Sequence, residues 1–137
     1  MKIQRLDHLN LSVENLEETV DWYQDLFGFE VKERGESRGE PWAIIQSGLA
    51  SLCLYQRSGF CRHDADKDEE EQKITLNHFA FAIESEADWL ASVGKHRPEM
   101  RFGGEVTVYP SSRSWYVVDP NGFQIEVCVW STGRPEF

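Results

Sequence analysis

The chain has 137 residues, of which 40% are hydrophobic and 12% aromatic, and it carries a formal net charge of −10. These values are typical of one globular domain with a packed core, and they argue against a disordered chain. The net negative charge argues against nucleic acids and anionic membranes as partners, because their phosphate groups would repel the protein.

Further features predict a cytoplasmic protein with reduced thiols. No apolar run approaches the roughly 18 to 20 residues that a membrane span requires. The N-terminal stretch "MKIQRLDHLNL" turns polar too early for a signal peptide. The cysteines are odd in number and widely spaced, which favours free thiols over a disulfide framework. They are Cys53, Cys61 and Cys128.

The first half of the chain predicts one strand, one helix and three further strands. Residues 3–13 alternate, with apolar side chains on one face and His8 on the other. Asn15 is predicted to cap a helix that packs its apolar face on a sheet and ends at Gly28. Turn residues separate the three strands that follow. These strands are "FEVKERGE", "PWAIIQSG" and "ASLCLYQRS".

An acidic segment at residues 59–73, "GFCRHDADKDEEEQK", interrupts this order. It has no apolar periodicity, which favours a solvated linker. A metal-binding or lid loop built on His63 and the neighbouring aspartates is the alternative, although the segment lacks the spacing and the glycine of a calcium loop.

After this segment the pattern restarts. "ITLNHFAFAIES" predicts a strand, and "SEADWLASVGKH" predicts a helix capped by Ser85. Three strands complete the half, and "DPNG" predicts a tight turn between the last two. These strands are "GGEVTVYP", "SRSWYVVD" and "GFQIEVCVW". The chain is therefore predicted to be one domain of two modules: module one at 1–58, the acidic linker at 59–73, module two at 74–131 and a tail at 132–137.

The opening strands of the two halves are similar to each other. "LDHLNLSV" and "LNHFAFAI" both place a small polar residue and a histidine ahead of alternating apolar positions, so His8 and His78 are equivalent. A repeat of this kind predicts two units that must pair to bury their sheets. We expect an α+β fold in which two βαβββ modules form a curved mixed sheet around a cleft, with the helices outside.

Glu126 offers a third metal ligand. In "GFQIEVCVW" it lies opposite the apolar face, and a carboxylate in such a strand is costly unless it is paired or bound to a metal. Two imidazoles and one carboxylate leave coordination positions open for substrate. This set suits Fe2+, Mn2+, Ni2+ or Zn2+ without distinguishing between them.

The same residues resemble the vicinal oxygen chelate superfamily, which includes glyoxalase I, the bleomycin and fosfomycin resistance proteins and the extradiol dioxygenases. The resemblance covers nearly the whole chain and is carried by "LDHLNLSVENLEETVDWYQDLFGFEV", "LNHFAFAIES" and "SWYVVDPNGFQIEV". It implies that His8, His78 and Glu126 bind a divalent metal in the cleft. It also implies a small substrate chelated through vicinal oxygens, and a homodimer in which modules can be exchanged between chains.

The resemblance leaves several activities open. A glyoxalase I would carry a carboxylate on the last strand of module one, where Cys53 aligns. A dioxygenase-like or glyoxalase-like lyase is the favoured expectation, with Tyr116 or Tyr55 as acid or hydrogen-bond donor. A fosfomycin-type thiol transferase is an alternative, in which Tyr116 matches a tyrosine of the pocket. A metal-free protein that sequesters a drug, of the bleomycin-resistance type, is a further alternative.

Three side chains complete the predicted substrate pocket. Asn10 occupies a position where the fosfomycin-modifying proteins usually have a threonine. Cys53 faces the same side of the first module as Asn10. Arg113, together with Arg101, is a candidate for binding an anionic group.

Overall fold

A computed structural model describes residue 1 and residues 5–71 and 76–135 of the protein. The chain divides into two compact units, Met1–Arg62 and His63–Phe137. Each unit contains its own mixed sheet, so the predicted α+β class is confirmed. In the described part of the chain, no helix combines the length and apolar character needed to cross a bilayer.

The N-terminal unit follows the predicted order of one strand, one helix and three strands. These elements are β1 (Leu9–Val13), α1 (Leu16–Phe27), β2 (Glu30–Ser37), β3 (Glu40–Ser47) and β4 (Ala50–Gln56). The sheet has the order β1-β4-β3-β2, with β1 parallel to β4 and the other pairs antiparallel. The predicted strand over 3–13 is too long, because pairing of β1 with β4 begins at Leu9 opposite Leu52. Residues 3 and 4 of that prediction lie outside the described residues.

Helix α1 begins and ends as the sequence predicts. The side chain of Asn15 accepts a hydrogen bond of 3.1 Å from the backbone N–H of Glu18, and Gly28 adopts the left-handed conformation that ends the helix. The helix contacts β3 and β4. Its buried side chains are Leu16, Thr19, Val20, Tyr23 and Leu26.

The C-terminal unit contains more elements than its sequence pattern predicts. They are α2 (Ala65–Glu70), β5 (Phe79–Ala82), α3 (Glu86–His96), β6 (Glu99–Met100), a 3-10 turn (Phe102–Gly104), β7 (Thr107–Val108), β8 (Ser112–Val118) and β9 (Gln124–Trp130). The sheet has the order β5-β9-β8-β6, with β7 also paired to β8. Strand β5 is parallel to β9, as β1 is to β4.

The C-terminal unit differs from the sequence prediction in several places. Strand β6 was not predicted, and the strand predicted over "ITLNHFAFAIES" is shortened to β5. Residues 74 and 75 of that prediction lie outside the described residues. The strand predicted over "GGEVTVYP" is reduced to two residues, because the 3-10 turn with positive φ at Phe102, Gly103 and Gly104 bends the chain before it. The acidic linker contains α2, which was not predicted. Its first turn is capped by Asp64, whose carboxylate accepts from the backbone N–H of Lys67.

Candidate functional site

His78 and Glu126 lie next to each other in the C-terminal unit. His78 immediately precedes β5, and Glu126 lies in the middle of β9, opposite Ala80 in the parallel pair. The distance from His78 Nε2 to Glu126 Oε2 is 3.1 Å. Both side chains are accessible in part, with 34% of His78 and 19% of Glu126 exposed. The strand pairing therefore brings together two of the three predicted metal ligands.

Neighbouring polar groups orient both of these side chains. Asn77 Oδ1 lies 2.6 Å from His78 Nδ1, and the Ser114 hydroxyl donates a 2.6 Å hydrogen bond to Glu126 Oε1. Ser114 is completely buried. These contacts orient the two side chains so that His78 Nε2 and Glu126 Oε2 face each other within hydrogen-bonding distance.

The spacing of this pair fits a divalent ion. Two ligand atoms at right angles around an ion, each bound at about 2.1 Å, are about 3.0 Å apart. The Nε2–Oε2 distance of 3.1 Å is close to this value, and it is also the distance of a direct hydrogen bond between the two groups. Hydrogen bonds to the distal atoms of ligating His and carboxylate groups are also typical of metal sites. His78 and Glu126 therefore fit two adjacent positions of a metal centre.

Tyr116 completes this cluster from β8. It is the register partner of Glu126, its ring meets the His78 ring edge-on with centroids 5.6 Å apart, and its hydroxyl lies 3.0 Å from that of Tyr109. Burial raises the pKa of Tyr116 well above its ordinary value, and the hydrogen bond with Tyr109 and the charge of Glu126 raise it further. Tyr116 therefore stays protonated at neutral pH and is a hydrogen-bond donor.

Residues 5–127 match the family model described as the Glyoxalase/Bleomycin resistance protein/Dioxygenase superfamily. The chain belongs to this superfamily. The resemblance to the vicinal oxygen chelate proteins that the sequence shows is thereby confirmed.

Solved structures of superfamily proteins share the fold. A glyoxylase/bleomycin resistance protein/dioxygenase domain from Frankia sp. EAN1pec has a TM-score of 0.79 and 18% identity, over 97% of this chain and 96% of that chain. A glyoxalase family protein from Enterococcus faecalis has a TM-score of 0.76 and 18% identity, over 93% and 99%. The fosfomycin resistance protein FosX from Listeria monocytogenes, complexed with Mn(II) and sulfate, has a TM-score of 0.66 and 21% identity, over 93% of each chain.

The third predicted ligand, His8, lies in the N-terminal unit. It immediately precedes β1, as His78 precedes β5. Its side chain is 47% exposed, and its Nδ1 lies 2.9 Å from Asp7 Oδ2. The hydrogen bond with His8 lowers the pKa of the Asp7 carboxyl. In residues 1, 5–71 and 76–135, no three His, Cys, Asp or Glu side chains form a group that could hold a metal ion.

Cys53 occupies the position in the N-terminal unit that Glu126 occupies in the C-terminal unit. Asn10 pairs with Cys53 in the parallel β1–β4 register, as Ala80 pairs with Glu126. The thiol is buried, and this burial raises its pKa. A protonated thiol is a poor metal ligand and a poor base. Cys53 therefore has little ligand character.

The remaining predicted residues have other contacts. Tyr55 stacks on Trp42 with ring centroids 6.1 Å apart. Arg113 forms a 3.2 Å ion pair with Glu86. Arg101 forms a two-point ion pair with Asp66 at 2.6 and 3.1 Å. Both candidate anion-binding arginines are thus already neutralised by carboxylates.

Ser114 and Asn77 are site residues that the sequence analysis did not select. Asn77 has a visible signal, since a small polar residue precedes the histidine in both repeats. Ser114 has a weaker one: it is two residues from Tyr116 in the same strand and therefore lies on the same face. Its hydrogen bond with Glu126 depends on the pairing of β8 with β9.

Proposed function

We propose that the protein is a divalent-metal-dependent enzyme that acts on a small substrate chelated through two neighbouring oxygen atoms. The observation that supports this proposal is the Nε2–Oε2 pair of His78 and Glu126, with spacing and orientation suited to a metal ion. His8 is proposed as the third ligand. When bound, the ion supplies Lewis-acid polarisation of the substrate oxygens.

The surrounding residues have distinct roles in this proposal. Asn77 holds the Nδ1–H of His78, so that Nε2 faces the ligand position. Ser114 holds Oε1 of Glu126, which leaves Oε2 available. Tyr116 keeps its proton and donates a hydrogen bond to the negative charge that develops on a substrate oxygen. A dioxygenase-like reaction and a glyoxalase-like lyase reaction both develop such charge, and these two classes are the favoured ones.

A fosfomycin-type thiol transferase is the second candidate. It is favoured by the hydroxyl of Tyr116, which lies on the strand beside Glu126 and is a suitable donor to a phosphonate oxygen. The ion pairs of Arg101 and Arg113 count against it, because a phosphonate would have to compete with carboxylates for both cations. The dioxygenase or lyase class therefore remains the main proposal.

Metal content of purified variants tests the ligand set. Wild-type protein is expected to retain about one divalent ion per chain, and His78→Ala, Glu126→Ala and His8→Ala are each expected to lose most of it, because three ligands are the minimum for such centres. His96→Ala is the matched control, since His96 lies in the last turn of α3. Wild-type metal stoichiometry in both His8→Ala and Glu126→Ala, measured by elemental analysis, would show that the assignment is wrong.

Oxygen uptake on a panel of catechols then separates the reaction classes. Uptake that requires both bound metal and Glu126 supports a dioxygenase. Metal-loaded protein without uptake on any catechol directs the search to lyase and transferase substrates.

A further inference from the structure

A cavity of about 170 Å3 lies beside His78 in the C-terminal unit. Polar and apolar groups share its wall, which includes the rings of His63, Phe102 and Phe123 together with the polar side chains of Asp68, Asn77 and Arg101. The acidic linker supplies two of these residues, His63 and Asp68. The linker therefore borders a cavity next to the candidate metal ligands.

The linker is attached to the turn before β9 at His63. The backbone N–H of His63 donates a 2.9 Å hydrogen bond to the carbonyl of Asn121, and the His63 ring packs on Phe123 with centroids 4.4 Å apart. A Cβ on Gly122 would lie only 2.0 Å from the His63 carbonyl oxygen, and Gly122 has a φ of +84°. Only glycine permits both this conformation and this close approach.

A second attachment joins α2 to the 3-10 turn. The carboxylate of Asp66 accepts two hydrogen bonds from Arg101, which lower the pKa of Asp66 and raise that of Arg101. The Nε–H of Arg101 is buried and has no hydrogen-bond partner among the described residues. The ion pair with Asp66 fixes the position of Arg101, whose side chain forms part of the cavity wall.

Phe102 connects the cavity to Tyr116. It has a φ of 51°, which is unusual for a side chain of this size. In this conformation its ring meets the Tyr116 ring edge-on, with centroids 5.4 Å apart, while Phe102 also lines the cavity. A backbone held in a sparsely populated conformation at such a position is a common feature of functional sites.

The volume of the cavity and the charges of the residues around it indicate which ligand it can bind. An apolar cavity of about 150 Å3 accommodates one benzene molecule, so the volume here fits a single six-membered ring. The charge of Arg101 is balanced by Asp66, and Asp68 adds a further negative charge. Anionic groups are therefore disfavoured, whereas ring stacking on Phe123 and His63 is available.

We propose that this cavity binds one uncharged aromatic ring of the substrate, and that Asp66 and Asp68 exclude anionic rings from it. That the ring belongs to a substrate rests on the function proposed above. Binding of the ring itself does not, because it requires no metal ion.

Binding of phenol and benzoate to metal-free, full-length protein tests the proposal by two-dimensional NMR. Phenol is expected to shift the resonances of Phe102 and Phe123, and benzoate to bind at least about tenfold more weakly, because like charges oppose its entry. Asp66→Asn should raise the affinity for benzoate about tenfold by releasing the Arg101 guanidinium. Asp88→Asn removes the same charge from an exposed position on α3 and should leave both affinities unchanged.

Three outcomes would overturn the proposal. They are the absence of phenol-induced shifts at cavity residues, equal binding of phenol and benzoate, and equal effects of Asp66→Asn and Asp88→Asn. Phe123→Ala provides a second check, with an expected loss of phenol affinity of about tenfold. A protein that binds phenol but never retains metal refutes only the metal-centre proposal, and one that retains metal but binds no phenol refutes only the cavity proposal.

Discussion

Tyr116 shows how neighbouring groups determine what one side chain can do. Its phenol is surrounded by the hydroxyl of Tyr109, the carboxylate of Glu126 and the rings of His78 and Phe102. Burial and a nearby negative charge both penalise the phenolate, which raises the pKa of Tyr116. The residue is therefore suited to donate a hydrogen bond and unsuited to act as a base.

The pKa of Tyr116 can be checked by spectrophotometric titration. Because its folded-state pKa lies above the ordinary value of 10.0, its contribution to stability is complete below that pH and declines as the pH rises further. We expect the wild type minus Tyr116→Phe difference to show no phenolate absorbance at pH 10. Tyr109→Phe, which removes the hydrogen-bonded hydroxyl, should move this ionisation towards lower pH. An ordinary transition near pH 10 in the difference would contradict the prediction.

Among the elements, the turn between β8 and β9 fixes the register of the candidate site. Asp119 is buried, and its Oδ1 accepts hydrogen bonds from the backbone N–H groups of Asn121 at 2.9 Å and Phe123 at 2.8 Å. Strand β9 begins directly after this turn, which places Glu126 opposite Tyr116. The turn also presents Gly122 to the linker.

Asp119→Ala is expected to destabilise the protein by about 3 kcal/mol, because it leaves two buried backbone donors without their charged acceptor. Urea unfolding measures this change. Asp21→Ala, at an exposed position of α1, is the control and should change the unfolding free energy by less than about 0.5 kcal/mol. A similar effect of the two substitutions would show that the turn does not depend on the Asp119 carboxylate.

Elements with local signals were predicted from the sequence, and those that depend on distant contacts were not. The caps Asn15 and Ser85 act on backbone groups three residues away, so their pattern is visible in the chain. Helix α2 has no apolar face, and its Asp66 pairs with an arginine 35 residues further on. Strand β6 consists of two residues that pair with β8. Neither leaves a periodic pattern from which it could be inferred.

In the candidate site, too, the residues with a local sequence signal were predicted, and those that depend on distant contacts were not. The sequence repeat predicted His78, and the position of Glu126 opposite the apolar face of its strand predicted Glu126. Both signals depend on strand alternation alone. The hydroxyl of Ser114 was missed because its role arises from the register between β8 and β9. The cavity was missed because it forms only where the linker meets Gly122.

For the whole molecule, charge and exposed apolar surface have opposite effects on self-association. Several large apolar side chains are exposed: Leu49, Leu90, Phe102 and Val108. Burial of such side chains against a second copy would favour a dimer. The net charge of −10 on each chain opposes it.

We predict a homodimer whose stability increases with salt concentration, because added ions screen the repulsion between two acidic chains. Light scattering coupled to size exclusion should give twice the chain mass of 15.9 kDa. The dimer fraction of a dilute sample should rise with ionic strength. A mass of one chain at all salt concentrations would contradict the prediction, and a dimer that weakens with salt would indicate an interface built on opposite charges.

The register equivalence of Cys53 and Glu126 has an evolutionary consequence. The halves of a duplicated gene begin identical, so at least one of these two positions has since changed. A small buried thiol at this position keeps the sheet of the N-terminal unit packed without supplying a carboxylate. The two units thus share one backbone register but differ in the chemical group that it presents.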